Sequence, residues 1–315
     1  MSTSPQRIWT VGSLLTWTTD FFARKGIDEP RLSAELLLAH ALDCTRMALY
    51  TRYENVPPEG PLTAFREMVK QRAEHVPVAY LVGKAWFYSL EFAVTRDVLI
   101  PRPDTETLVE TVITHIRVKS AAASSASADA SALPAVTPGD TVHILDLCTG
   151  SGCIAIALAK NISTAHVTAT DLSAAALEVA HKNIDQHKLS DRIKLASGDL
   201  FSALTQAEPA VRFDVIAANP PYIATEKLKT LEPQVREHEP VTALDGGADG
   251  LEPHRRILAE ARDHLHPGAM LVLEIAFDQA EAARDLFTAA GYLDGIRIVR
   301  DAAGNARCVV GLRKP

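Results

Sequence analysis

Asn219-Pro-Pro-Tyr222 is the stretch of this chain whose residue types are hardest to explain without chemistry. Two consecutive prolines carry no N–H and hold the backbone extended, so the carbonyls beside them stay able to accept hydrogen bonds from a ligand. Asn219 adds a side-chain carbonyl, and Tyr222 adds an aromatic face or a hydroxyl. Together these groups suit the two N–H bonds of a planar NH2. Such a nitrogen, in an amide, is a poor nucleophile because its lone pair is delocalised. Gripping both hydrogens aims its lone-pair face at an electrophile and favours pyramidal character as a bond forms, a positioning effect worth roughly several kcal/mol. The plain alternative is a proline-rich surface turn.

A second set of residues describes a pocket. Asp146-Leu-Cys-Thr-Gly-Ser-Gly152 leaves an apolar stretch and flows into Cys153-Ile-Ala-Ile-Ala-Leu-Ala159, which reads as strand, glycine turn and helix. Glycine lets a ligand approach the backbone at the carboxyl end of a strand, where open α/β sheets bind their ligands. Gly150-Ser-Gly152-Cys-Ile-Ala155 has the G-x-G-x-x-A form, compatible with a dinucleotide site but weak alone. Asp171 ends the next apolar stretch, about 20 residues past the turn, where an acid can accept hydrogen bonds from ribose hydroxyls. Asp199 follows a third stretch in Ser197-Gly-Asp-Leu-Phe201. Any of these acids taken singly could be a helix N-cap or a turn residue. Their order at successive strand ends describes a nucleoside pocket.

The elements that must position these residues are legible as alternating patterns. Apolar runs at Val142 to Leu147, Val167 to Thr170, Ile193 to Ala196, Phe213 to Ala218 and Met270 to Ile275 alternate with helical segments, the mark of an α/β fold with a mainly parallel sheet. Gly295 to Arg300 and Arg307 to Leu312 flank Asp301-Ala-Ala-Gly-Asn305 and read as an antiparallel hairpin closing one side of that sheet. Residues from about 8 to 80 look helical, with a start signal at Pro30 and a second segment from Leu62 to His75. Ala85 to Val94 suggests a short hairpin, Ile100-Pro-Arg-Pro-Asp-Thr-Glu106 an extended segment, and the following residues a helix through Arg117. From Lys119 to Asp140 the chain is Ser- and Ala-rich with almost nothing large to bury, which reads as a flexible insertion; helix is the alternative, since Ala favours it, but the interspersed Ser residues and the lack of an apolar stripe leave it nothing to pack against.

Composition narrows the class. A chain of 315 residues with 47% hydrophobic and 23% charged residues suggests an ordinary globular protein of two units. The net charge of −7 disfavours broad phosphate-backbone affinity, so neither nucleic acid nor membrane is an expected stable partner. The most apolar runs are far shorter than the roughly 20 residues needed to cross a bilayer, and Glu274 interrupts the run from Met270 to Phe277. The N-terminal residues up to Phe22 read as an amphipathic helix without a signal core, so a cytoplasmic, monomeric protein is expected. Cys44, Cys148, Cys153 and Cys308 form no C-x-x-C pair, so neither a metal nor a disulfide framework is expected.

In their order, Asp146 to Gly152, Asp171, Gly198-Asp-Leu-Phe201 and Asn219-Pro-Pro-Tyr222 resemble the class I methyltransferases that use S-adenosylmethionine to methylate an exocyclic or amide nitrogen. Pro77-Val-Ala-Tyr-Leu-Val-Gly83, Phe87, Ile100 to Glu106, Glu239-Pro-Val-Thr-Ala-Leu244 and Asp249-Gly250 narrow the resemblance to the PrmC or HemK family, which methylates glutamine N5 in peptide chain release factors. The resemblance implies a Rossmann-like, seven-stranded, mostly parallel sheet. It also implies a helical substrate-recognition domain at 1–83, a hairpin and connecting segment at 84–118 and a catalytic domain at 141–315, and it covers nearly the whole chain apart from the Ser/Ala insertion at 119–140. By the same resemblance, Cys148, Thr149, Gly150, Ser151 and Gly152 wrap the methionine part of the cofactor, Asp171 binds its ribose, and Asp199 with Leu200 flanks its adenine. Asn219, next to the cofactor, acts with Pro220, Pro221 and Tyr222 to hold the glutamine amide for in-line transfer, with Asn219, Pro220 and Tyr222 as the catalytic set. Cys148 stands where the family usually has glycine, and Leu200 where some members have tryptophan. The first feature, with Lys84-Ala-Trp-Phe87, resembles sister enzymes acting on ribosomal protein L3, which remain an alternative, as does adenine N6 methylation of DNA or RNA.

Overall fold

The computed structural model describes residues 9–125, 141–204 and 211–315. Contacts divide the chain into two compact units, Met1–Lys84 with Glu232–His238, and Ala85–Leu231 with Glu239–Pro315. The first unit carries helices α1 (Val11–Arg24), α2 (Pro30–Ala41), α3 (Arg46–Thr51), α4 (Glu59–Ala73) and α5 (Val78–Val82). Its core is the stripe the periodicity marks: Leu15, Phe22, Leu37, Leu38 and Leu49 are fully buried. The charge of Glu35, buried on α2, is matched by Arg31 at 2.7 Å and Arg46 at 2.6 Å. These partners and the Tyr50 hydroxyl hold its carboxyl down at about 2 against the upward push of burial.

The second unit begins with the hairpin β1 (Lys84–Phe87) and β2 (Leu90–Ala93), followed by α6 (Glu106–Ser125). Strands β3 (Val142–Leu147), β4 (Ala165–Asp171), β5 (Ile193–Ser197) and β6 (Phe213–Ala218) then alternate with α7 (Cys153–Asn161) and α8 (Ala174–Gln186). After the short α9 (Pro233–Arg236), which groups with the first unit, come α10 (Glu252–His264), β7 (Leu265–Glu274), α11 (Ala280–Ala289), β8 (Leu293–Arg300) and β9 (Ala306–Arg313). The seven-stranded sheet has the order β5-β4-β3-β6-β7-β9-β8, with β9 antiparallel to both β7 and β8.

The central strands are mostly apolar because both of their faces are covered. Ile144, Val215, Ala217, Met270 and Val272 join one core, and Leu145, Leu147, Ile216, Ala218, Leu271 and Leu273 join the other, the two-residue alternation of a pleated strand. Phe87, Phe92, Leu108, Val112 and Ile113 belong to the first of these cores. The segment 84–118 therefore packs with the sheet from Ala85 onward, instead of standing between two bodies.

Two expected boundaries move by five residues or more. The helix expected to end at Arg117 continues to Ser125, so the first part of the expected insertion is helical. Alanine's high helix propensity favours this, and Lys119 fixes the turn by donating to the Gly268 carbonyl at 3.2 Å. Residues 126–140 of the expected insertion lie outside the described residues. Strand β7 starts at Leu265, ahead of the expected Met270, because Leu265 pairs with Phe213 before an irregularity resets the register at Val215 and Met270.

One polar side chain ties the hairpin to the glycine turn. Asn183, fully buried on α8, donates to the carbonyls of Ala93 at 3.0 Å and Ser151 at 2.8 Å and accepts from the Ala93 N–H at 2.7 Å. Asn183→Ala strands all three backbone groups and is expected to cost about 3 kcal/mol or more. The check is urea unfolding: the midpoint falls at an unchanged m-value. A loss under about 1 kcal/mol contradicts the tie.

Candidate active site

Strand register brings the two motifs together. Asp146 pairs with Ala217 and Leu147 with Ala218, so Cys148 and Asn219 leave the sheet side by side at its carboxyl edge. From β3 the chain continues to β4 on one side, and from β6 to β7 on the other. Such a switch point opens a crevice in which α/β sheets bind ligands. A cavity of about 590 Å³ occupies it, lined among others by Cys148, Thr149, Gly150, Asp171, Asp199 and Asn219. Leu200 and Pro221 line it as well.

The turn after β3 is shaped by hydrogen bonds to carboxylates. Asp146, fully buried, accepts from the Thr149 hydroxyl at 2.6 Å and the Ala155 N–H at 3.2 Å. Asp171 accepts from the Gly150 N–H at 2.8 Å and from the Ser173 N–H at 2.9 Å, tying the ends of β3 and β4 to each other across the cavity wall. Burial pushes the Asp171 carboxyl up, and the backbone donors pull it back. Asp199 both begins a turn and lines the cavity. It caps the turn at Leu200–Ala203, the Ser202 hydroxyl accepting from its N–H at 2.9 Å, and it faces the cavity paired to Arg256 at 2.7 Å. Cys148 (φ 59°) and Leu200 (φ 51°) hold left-handed backbone conformations on the cavity wall. Glycine would adopt the Cys148 conformation without a Cβ penalty.

Four expected site residues do not line the cavity. Gly152 (φ 80°) packs instead at the start of α7, where an added Cβ would meet Ala180 at 3.4 Å. Ser151 is buried behind the turn, its carbonyl held by Asn183. Pro220 is buried too. Tyr222 is the larger correction: its hydroxyl donates to Glu274 Oε1 at 3.3 Å and its carbonyl accepts from Gln279 Nε2 at 2.9 Å. Burial, with the neighbouring Glu274 charge, pushes the phenol far above its ordinary range. Gly250 admits this packing, since a Cβ there would lie 2.3 Å from the Tyr222 carbonyl oxygen. The tyrosine thus anchors the turn from behind.

Asn219 has one side of its amide committed. Its Nδ2 donates to Thr105 Oγ1 at 3.2 Å, which leaves Oδ1 as the acceptor for a ligand N–H. Thr105 belongs to the Ile100 to Glu106 segment, whose role sequence reasoning left unassigned; the segment's extended prolines bring it to the cavity wall. Arg102, from the same segment, is ion-paired with the buried Glu239, which also accepts from the Ile100 N–H at 3.4 Å. That pair ties the segment to the loop bearing Pro240, Val241 and Thr242 on the cavity wall.

Two buried carboxyls flank these motifs. Asp146 and Glu274 are each pushed by burial up to about 7, against hydrogen bonds that favour their charged forms. A carboxyl whose folded value exceeds its unfolded one stabilises the fold fully at low pH and loses that contribution as pH rises through the folded value. The buried His115 and His254, each held by burial down to about 4, act in the opposite sense, adding stability as pH rises toward their unfolded value. The carboxyl contribution is therefore read by difference: the stability of Glu274→Gln relative to wild type is expected to rise between about pH 4 and 7, by on the order of a few kcal/mol. Unfolding free energies of the two proteins across that range check it; a constant or falling difference contradicts it.

The cavity fits a nucleoside bearing a chain. Its volume lies in the range of small-molecule sites. The hydroxyl of Thr170 on its wall is buried without a hydrogen-bond partner, and Leu172 and Val241 expose apolar surface to it.

The PrmC N-terminal domain family matches residues 13–83, and the methyltransferase small domain family matches residues 124–236. Over 305 residues the chain is 43% identical to the release factor glutamine methyltransferase of Rhodopirellula baltica, covering 97% of each. Over 292 residues it is 39% identical to the protein of that name from Geobacter sulfurreducens, covering 93% of each. Among solved structures, the hMettl16 catalytic domain in complex with a MAT2A 3'UTR hairpin superposes with a TM-score of 0.51 at 16% identity, over 72% of this chain and 79% of that one, a likeness of fold.

Proposed function

The chain belongs to the release factor glutamine methyltransferase family, and on that premise we propose that it methylates the side-chain amide nitrogen of a glutamine in a peptide chain release factor, with S-adenosylmethionine as the methyl donor. The observation that carries this reading is the amide of Asn219, fixed through Nδ2 so that Oδ1 is left to accept at the carboxyl edge of the sheet, beside the turn that follows β3.

Bound in this cavity, S-adenosylmethionine supplies an electrophilic methyl carbon on a sulfonium. The chain's own residues bind and aim. Cys148, Thr149 and Gly150 present the turn to the methionine part, Asp171 offers carboxylate lone pairs to the ribose while holding the Gly150 N–H, and Asp199, Leu200 and Leu172 border the base. Asn219 Oδ1 accepts one N–H of the glutamine carboxamide, and a main-chain carbonyl of the same turn is the acceptor for the other. The glutamine nitrogen would bond to the methyl carbon as that carbon's bond to sulfur breaks, leaving the neutral thioether S-adenosylhomocysteine, and the nitrogen would lose one proton to solvent. Orientation of this kind raises turnover without a strong base.

The helical N-terminal unit is the proposed binding element for the release factor; Met47, Tyr50 and Val56 expose apolar surface on and after α3. The relatives' names favour the release factor over ribosomal protein L3. Among the described residues no helix is long and apolar enough to cross a membrane, in keeping with a cytoplasmic substrate.

Transfer of labelled methyl to purified release factor, ribosomal protein L3, plasmid DNA and RNA tests the substrate class. Label in the release factor is expected. Label in L3 or nucleic acid instead overturns the assignment.

A further inference from the structure

Two arginines follow one another in the first turns of α10, and the fold sends them to different partners. Arg255 pairs with Asp249, while Arg256 lines the cavity and donates from Nη2 to Asp199 Oδ2 at 2.7 Å. The packing of the helix sets that direction. His254, Ile257 and Leu258 are buried, and His254 Nε2 donates to the Glu274 carbonyl at 2.8 Å, so this part of α10 is held to the sheet. Pro253 and Arg256, three residues apart on one face of the helix, are then presented together to the cavity.

The carboxylate that Arg256 meets is fixed from its own backbone as well. The Asp199 N–H donates to the Ser202 hydroxyl at 2.9 Å, and the Asp199 carbonyl accepts from the Ser202 N–H at 3.1 Å, which locks the residue into the turn that follows. With Oδ2 committed to Arg256, Oδ1 keeps a lone pair for a ligand N–H. The two side chains are 44% and 47% exposed, and an ion pair that open contributes little to the stability of the fold. Its effect is felt when a ligand fills the cavity and takes the water from the pair.

Adenine carries a 6-amino group, a donor, where hypoxanthine carries a carbonyl oxygen, an acceptor, as guanine does. A carboxylate pinned in place accepts from the amine and repels the carbonyl. One left free turns out to water, so it orients the amine poorly and escapes the repulsion. We propose that Arg256 is a positioning residue for base selection: by holding Asp199 Oδ2 it aims Oδ1 at the exocyclic amine of the cofactor's base and makes the cavity reject a base with a carbonyl in that place. This rests on the reading of the cavity as the cofactor site with Asp199 beside the base. Arg256 acts through the carboxylate, and the contact is a single Nη2–Oδ2 hydrogen bond, which a lysine ammonium can also make.

The test is calorimetry of the full chain with S-adenosylhomocysteine and with its deaminated counterpart, S-inosylhomocysteine. Wild type is expected to bind the adenine ligand at least about tenfold more tightly than the hypoxanthine one. Arg256→Met is expected to narrow that ratio to within about threefold, chiefly by weakening the adenine ligand, with Tm within about 2 °C of wild type. Arg256→Lys is expected to restore the ratio to within about twofold of wild type. Asp199→Asn, whose amide can turn either an oxygen or an NH2 to the base, is expected to narrow the ratio as Arg256→Met does, and the double variant to lose nothing further. A wild-type ratio in Arg256→Met, an equal loss of affinity for both ligands, or a wild type that does not discriminate overturns the proposal. If Arg256→Met fails to fold, Arg256→Lys and Asp199→Asn decide: a narrowed ratio in the lysine variant or a wild-type ratio in the asparagine variant overturns it. A wild type that binds neither ligand overturns the underlying reading of the cavity instead, which separates the two failures.

Discussion

Asn219→Ala is expected to lower turnover at least about a hundredfold while leaving cofactor affinity within a few fold. The asymmetry comes from where the side chain points its two ends. Nδ2 is held by Thr105, and Oδ1 is the acceptor proposed to orient the reacting amide. Alanine removes that acceptor and leaves the Thr105 hydroxyl without its donor, but the Asp171, Gly150 and Ser173 tie on the other side of the cavity is untouched. A loss of interaction made chiefly as the bond forms appears in kcat, whereas a loss of plain binding appears in KM. Steady-state kinetics with release factor, paired with equilibrium dialysis of the cofactor, separates the two. Near-normal kcat in this variant would remove Asn219 from the chemistry.

Asp171→Ala reverses the pattern: cofactor affinity is expected to fall about a hundredfold, close to 2.7 kcal/mol, with secondary structure retained. Asp171 accepts from two backbone N–H groups, at 2.8 and 2.9 Å, and also lines the cavity, where it is the proposed partner of the ribose hydroxyls. Hydrogen bonds to a charged acceptor contribute about 1.5 to 3 kcal/mol each, so losing the ribose contacts and loosening the Gly150 turn together reach this size. Turnover at saturating cofactor is expected to recover much of its wild-type value, because Asn219 still aims the amide. Calorimetry of cofactor binding checks the first part, and affinity within threefold of wild type would contradict it.

Much of this site was legible in the residues because local patterns carry it. Strands β3 and β6 have the boundaries their apolar runs indicate, since a strand buried on both faces has polar residues only at its ends. The turn from Cys148 to Gly150, Asp171, Asp199 and Asn219 meet in one cavity because parallel strands deliver their carboxyl ends to one edge. What stayed hidden was the direction of side chains. Nothing in Asn-Pro-Pro-Tyr says that the tyrosine turns back into the sheet; that depends on Glu274, more than fifty residues later and beside it only after folding. Thr105 is hidden for the same reason, since its partner is 114 residues away. Glu274 did leave a signal: a carboxylate inside Met270 to Phe277 breaks the apolar run of a buried strand, and a buried charge needs a reason. The end of α6 was misplaced because Ser and Ala tracts satisfy both linker and helix preferences, and the distant Gly268 carbonyl that receives Lys119 is beside it only after folding.

The claim at the centre is that the switch-point cavity aims a carboxamide nitrogen at a methyl donor. Peptide mass spectrometry of a release factor after incubation with the chain and S-adenosylmethionine tests it most directly. One added methyl group, mapped by fragmentation to the side-chain nitrogen of a single glutamine and absent with Asn219→Ala, is the expected result. A methyl group on any other residue type, or an unmodified release factor under conditions where the cofactor binds, would contradict it.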